Sequence, residues 1–325
     1  MNSPLNRRDF LAVSVSATAA AGAALAAGPS LAHAATFKTK LAKALIGGTS
    51  EKNLQKLKDA GFDGIETGWN VKPDAAAEAR KVAEKVGVKI HSVLRGWTNF
   101  NNPKATPKDI ASVETALKAA RGFGADAVLL VPCRLTGKGI AVPQPWEFDI
   151  EFDEKTGHVA KVVKGDNAEY AAYIKAQNDA TDMSREALKK LIPTAKETGV
   201  KIALENVWNN FWVKPKLFAN FVASFQSEWV AAYFDIGNHV KYAPPQDWIQ
   251  ALGKTIVKCH VKDFKLNPNG QGGRFCNIRD GSVNWPLVRK ELDKIGYNGW
   301  MTIEGSGGLS VQDRSKRLDL IIAGK

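Results

Sequence analysis

Short apolar runs alternate along this chain with longer stretches whose apolar positions recur every three or four residues. The first pattern fits strands buried on both faces, the second amphipathic helices packed along one side. The expected strands are Leu41 to Ile46, Gly64 to Glu66, Val88 to Val93 and Ala127 to Val131, then four runs ending at Glu205, Asp235, His260 and Glu304. Helices are expected over 50–60, 75–86, 106–123, 167–198, 214–225, after Pro244-Pro245, over 285–295 and over 310–322. Thr106-Pro107 gives the third of these an N-cap and a first-turn proline. Eight strand–helix units in series predict a single parallel (β/α)8 barrel, a TIM barrel, over residues 35–325.

The rhythm breaks once. Trp146 to Phe152 alternates strictly, Asp153 to Gly157 reads as a turn, and His158 to Val163 returns, which predicts a β-hairpin. Leaving the fourth strand's end, it would stand on the catalytic side of a barrel as a lid or as a contact in a homo-oligomer. A second irregular stretch, 267–282, is rich in Gly and Asn and reads as a loop.

Each of the last four strands ends in a residue that avoids apolar interiors: Glu205, Asp235, His260 and Glu304. Their neighbours Leu204, Phe234, Ile236, Cys259, Val261 and Ile303 are apolar and point to the opposite face. The polar side chains therefore turn inward, at the end of the barrel where active sites lie. One such Glu alone would be read as a solvated loop residue. Four after four successive strands are different, because buried carboxylates take up protons unless something positive neutralises them. Three carboxylates and one imidazole make a hard donor set suited to one divalent cation, Mn2+ first, with Mg2+, Co2+ or Zn2+ as alternatives.

The formal charge of +12 over 325 residues is high, but the basic residues are scattered, with no basic stripe interleaved with aromatics. This argues for a solvated surface favouring anionic substrates or a nearby membrane surface rather than a nucleic-acid partner. The three cysteines (Cys133, Cys259, Cys276) have no CxxC spacing and imply neither a disulfide framework nor a cysteine metal site. Residues 1–34 read as a leader: Asn6-Arg7-Arg8-Asp9-Phe10-Leu11 precedes an Ala-rich run ending in Ala32-His33-Ala34. That is the pattern of a twin-arginine signal peptide, and it predicts export to the periplasm with no stable membrane anchor after cleavage.

The segments ALENVW, FDIGNH, CHVKDF and TIEG, carrying Glu205, Asp235, His260 and Glu304 in that order, resemble the metal-binding set of the xylose-isomerase-like barrel superfamily. The resemblance covers essentially the whole chain after the leader. It implies the chemistry of sugar isomerases and epimerases, with the inosose dehydratases and type IV AP endonucleases as other members. The endonucleases need more histidines than His91, His158, His239 and His260, all that follow the leader. The chain also departs from the ketose 3-epimerases. Where they carry a substrate-binding Glu six residues after the first metal Glu, and an Arg six after the metal His, this chain has Phe211 and Leu266. Their Asp-x-x-His is here Asp235 followed four residues later by His239.

The chemistry expected is proton transfer next to a carbonyl, through an enediolate that the cation stabilises. Glu205 and Glu304, on opposite sides of the metal, would remove and return the proton, resembling the paired glutamates of the 3-epimerases. Return to the opposite face epimerises, return to the neighbouring carbon isomerises, and loss of a β-hydroxyl dehydrates. A metal-dependent dehydratase or hydratase on keto-sugars or inososes is therefore the alternative. The partner is a small sugar or keto-sugar, and Glu66, His91, His239, Lys262 and Trp208 are its candidate contacts. Trp69, Trp212, Arg274 and Arg279 are weaker candidates, and Gly305-Ser306-Gly307-Gly308 reads as a tight turn before a phosphate site.

Overall fold

Every residue of Val230–Asp235 is buried, and the same holds for Ala127–Val131. Strands buried on both faces need a layer on each side, and here the sheet provides one by closing on itself. The computed structural model describes residues 37–137 and 139–325. Eight parallel strands form a closed barrel: β1 Leu41–Ile46, β2 Gly64–Gly68, β3 Lys89–Trp97, β4 Ala127–Val131, β5 Lys201–Glu205, β6 Val230–Asp235, β7 Ile256–Val261 and β8 Gly299–Ile303. β1 closes the ring by pairing in parallel with β8 over Leu41–Leu45.

The helices follow in alternation: α1 Glu51–Asp59, α2 Pro73–Val86, α3 Thr106–Phe123, α4 Ala171–Thr198, α5 Pro215–Ala223, α6 Pro245–Leu252, α7 Trp285–Lys294 and α8 Val311–Ile322. Their starts and stops are local chemistry. Prolines open α2, α3, α5, α6 and α7 in the first turn, and Ser310 caps α8 by accepting from Asp313 N at 3.0 Å. Outward strand residues such as Leu130, Leu204, Phe234, Cys259 and Ile303 pack into the helical layer. Inward residues Ala127, Leu129, Val131, Ala203 and Tyr233 form a small separate apolar cluster inside the barrel.

The expected (β/α)8 barrel and its strand order are what the structure shows. Three details differ. The hairpin after β4 is paired only over Glu151–Phe152 and Val159–Lys161, because Pro145 to Glu147 form a turn and Phe148 to Ile150 are unpaired with any strand. The expected loop over 267–282 contains half of a second hairpin, Asp263–Leu266 paired with Gly273–Cys276. Finally, β2 runs past Glu66 to Gly68 and β3 past Val93 to Trp97, so Glu66 lies within its strand rather than at its end. The leader at 1–34 lies outside the described residues. Among the described residues no helix is long and apolar enough to cross a membrane.

Candidate metal centre

One ligand atom each from Glu205, Asp235, His260 and Glu304 lies within 4.8 Å of the other three. The barrel geometry brings them together. Asp235 and His260 are register partners on β6 and β7, Glu205 ends β5, and Glu304 follows β8 with its N–H donating to Val261 O at 3.2 Å. Glu205, Asp235 and His260 are buried, whereas the Glu304 side chain is 33% exposed, so access to the cluster is from the Glu304 side.

The loops after β5 and β6 hold the carboxylates by their backbones. Asn206, fully buried, accepts from Asp235 N at 2.7 Å and donates to Asp235 O at 2.8 Å, locking the two strand ends together. Asp235 Oδ1 accepts from Gly237 N and Asn238 N at 2.8 and 2.7 Å. Its Oδ2 is left with no hydrogen-bond partner inside the cluster. Gly237 is required there, since a Cβ would lie 2.5 Å from Lys262 O.

His260 is the hub. Its Nδ1 stands 3.0 Å from Glu304 Oε2, 3.2 Å from Glu205 Oε1 and 3.9 Å from Asp235 Oδ2, while Nε2 lies 2.6 Å from Glu66 Oε2. Lys262 adds a second cation, 2.9 Å from Glu304 Oε2 and 3.4 Å from Asp235 Oδ2. Glu304 Oε2 thus has two cationic neighbours, yet neither directs a hydrogen at it well enough to count as a bond.

The charges pull in different directions. Burial raises Asp235 to about 7, with Lys262 opposing and the neighbouring carboxylates adding. Burial also raises Glu205. At Glu304 burial acts the same way but is outweighed by His260 and Lys262, which hold its carboxyl below the usual range. For His260, burial favours the neutral ring, and the surrounding carboxylates overcome it and raise the imidazole well above its ordinary value.

These residues fit a divalent cation. Metal–oxygen bonds of about 2.1–2.3 Å space ligand atoms roughly 3–4.5 Å apart, so the cluster need close by only a few tenths of an ångström. The orphaned Asp235 Oδ2 and Glu304 Oε2 are the atoms such an ion would satisfy.

A sequence comparison decides the family: residues 54–318 match the model described as "Xylose isomerase-like TIM barrel". The chain belongs to this family. A solved structure described as a D-tagatose 3-epimerase-like protein superposes with a TM-score of 0.64 at 18% identity, covering 86% of this chain and 98% of that one. A xylose isomerase-like TIM barrel protein from Mycobacterium smegmatis in complex with magnesium superposes with a TM-score of 0.61 at 17% identity, covering 88% and 96%. At these identities the likeness is one of fold. The uncharacterized protein MJ1311 of Methanocaldococcus jannaschii is 25% identical over 150 residues, 44% of this chain and 49% of that protein, so the match spans about half the curated relative's length.

The five candidate substrate contacts separate on the structure. Lys262 and Trp208 flank the cluster. Trp208 is half-buried, its Nε1 donates to Asn238 O, and its ring stacks on Phe275 at 4.7 Å. The other three give way. Glu66 and His91 are fully buried below the cluster, Glu66 against His260 and Ser92, His91 against Thr302 Oγ1 at 3.0 Å and the Trp300 ring. His239 is buried outside it: Nε2 donates to Val207 O at 2.9 Å and the ring packs on Tyr242 and Trp248. Trp212 likewise lies in the outer core, stacked on Phe211 and Phe218. Sequence reasoning missed Asn206 and Asn238, though both sit inside the quoted segments, one residue after Glu205 and three after Asp235. A small amide next to a buried acid was the available signal.

Proposed function

We propose that this chain is a divalent-metal-dependent sugar isomerase or epimerase that moves a proton on a carbon next to a carbonyl. The observation that carries this reading is the convergence of Glu205, Asp235, His260 and Glu304 from four successive strand ends onto one point. Glu205, Asp235, His260 and Glu304 would hold a divalent cation there, whose positive charge would acidify the carbon next to the carbonyl. The donor set favours Mn2+, with Mg2+, Co2+ and Zn2+ as alternatives. The Asn6-to-Leu11 motif supports export in folded form to the periplasm, which would fix the metal in the cytoplasm first. Metal analysis of protein from its native periplasm tests this, and copper alone would sink it.

The side chains divide the remaining work. Glu205 is enclosed and Glu304 opens to the access side, so a sugar seated between them meets a carboxylate on each side. Lys262, against Glu304 and Asn238 Oδ1, is placed to bind a substrate oxygen. It also gives the dehydratase reading its specific support, as a donor to a departing β-hydroxyl. The surrounding carboxylates overcome burial and hold its proton more tightly than usual, so it serves better as a binding cation than as an acid. Isomerisation or epimerisation therefore ranks first.

The test is to incubate metal-loaded protein with ketoses and 3-keto-glycosides in D2O and follow deuterium at the substrate carbon. Exchange without water loss is expected, and Glu205→Gln and Glu304→Gln should each lower it by 10²-fold or more, an order-of-magnitude figure for a lost proton-transfer group. Full exchange in both variants removes them as bases. Water loss in the products moves the assignment to the dehydratase.

A further inference from the structure

Glu66 is a carboxylate with no exposure at all, in mid-strand, and no sugar can reach it. Keeping an acid in such a place is costly unless each oxygen is satisfied. Both are. Oε1 accepts from Ser92 Oγ at 2.8 Å and Oε2 takes the Nε2 side of His260 at 2.6 Å. The fold makes a special provision for the first of these bonds. Pairing between β2 and β3 shifts register at this level, from Ile65 opposite Ile90 to Glu66 opposite Ser92. The inserted residue lets His91 and Ser92, though consecutive, both turn into the barrel. Bulges re-aim side chains in this way beside functional sites. The Tyr233 ring, 4.5 Å from the imidazole, packs against His260 from another side.

We propose that Ser92 and Glu66 are positioning residues: they fix the His260 ring with its Nε2 proton on Glu66 and its Nδ1 lone pair toward Glu205, Asp235 and Glu304, and this orientation sets the affinity for a divalent cation. The proposal rests on reading the cluster as a cation site. Histidine ligands in metal sites commonly hand their second ring N–H to a carboxylate, which fixes the tautomer and the ring plane. Here that partner comes from β2, on the far side of the barrel from the four ligating strands, and a serine brought in by the bulge holds it.

The probe is Co2+, titrated into purified metal-free protein against a competing chelator, with its visible absorption spectrum recorded. Wild type should bind one ion. Glu66→Ala should bind about 10–100-fold more weakly, with an altered spectrum because the imidazole is free to turn. Glu66→Gln keeps an acceptor for Nε2–H and should lose less than about 10-fold, with the wild-type spectrum; Ser92→Ala should lose a few-fold. Glu66→Ala binding as tightly as wild type overturns the proposal, and so does Glu66→Gln losing as much as Glu66→Ala. Circular dichroism and thermal melting of the metal-free variants show whether each folds. If Glu66→Ala does not fold, Ser92→Ala carries the test, and wild-type affinity there overturns the proposal. Wild type failing to bind Co2+ at all overturns the cation-site reading itself.

Discussion

At the scale of single residues, the site owes its character to how each polar atom is committed. Asp235 spends Oδ1 on two backbone N–H groups and keeps Oδ2 for the cluster, and burial pushes its carboxyl up to about 7. A cation needs Asp235 ionised and His260 Nδ1 unprotonated, so binding must release protons. The affinity should therefore fall as pH drops below about 7, and titration calorimetry in buffers of different ionisation enthalpy should show net proton release. Affinity independent of pH between 6 and 8 would contradict this. Phe211 shows the opposite commitment. It is fully buried and stacked on Trp212 at 4.5 Å, where the ketose 3-epimerase pattern would place a substrate-binding Glu. Phe211→Glu should not create that contact. Burying an unpaired carboxylate in an aromatic core should instead destabilise the fold by roughly 4 kcal/mol or more, read from denaturant midpoints.

At the scale of elements, the strands were legible because each has apolar neighbours around its polar end, and that pattern survives without knowledge of partners. The first and fourth strands and the third helix fall where the sequence puts them, at Leu41–Ile46, Ala127–Val131 and Thr106–Phe123. The convergence of Glu205, Asp235, His260 and Glu304 was legible for the same reason, since alternation fixes which way a strand-end residue points. The bulge in β3 was not. It breaks alternation at His91 and Ser92, and only the pairing with β2 reveals it. Glu66 and His239 were misplaced because sequence gives a polar residue's position along a strand or loop, not its depth. The loop after β6 is where an element-level prediction belongs. Gly237→Ala forces a methyl against Lys262 O, displacing the turn that donates to Asp235 Oδ1. The variant should lose at least about 10-fold in cation affinity while the barrel's far-ultraviolet dichroism is kept. Unchanged affinity would show that the turn tolerates the shift.

At the scale of the whole molecule, a cation bound at the cluster would tie stability to pH separately from the buried histidines. His239 is fully enclosed, and burial holds it down from 6.5 to about 3. Because the unfolded chain takes up this proton first, the contribution of His239 is fully present above about 6.5 and is lost as pH falls toward 3. The loss should reach roughly 4–5 kcal/mol at the acid end, at about 1.4 kcal/mol per pKa unit. Burial likewise keeps His91 well below its ordinary value, so it acts with the same sign. The cation term depends on pH through its own protons. At 100 times its dissociation constant, a bound ion adds about 2.7 kcal/mol, and that constant worsens as Asp235 and His260 protonate. The melting temperatures of loaded and chelated protein should therefore lie about 4–5 °C apart at pH 8 for a domain of this size, and converge by pH 5. Below that, both should decline together as the histidines charge. His239→Gln should flatten the shared decline without changing the gap at pH 8, because the His239 ring bonds Val207 O and packs on Tyr242 and Trp248, away from the cluster. A gap that stays constant down to pH 5 would mean the ion, if bound, displaces no protons from the cluster.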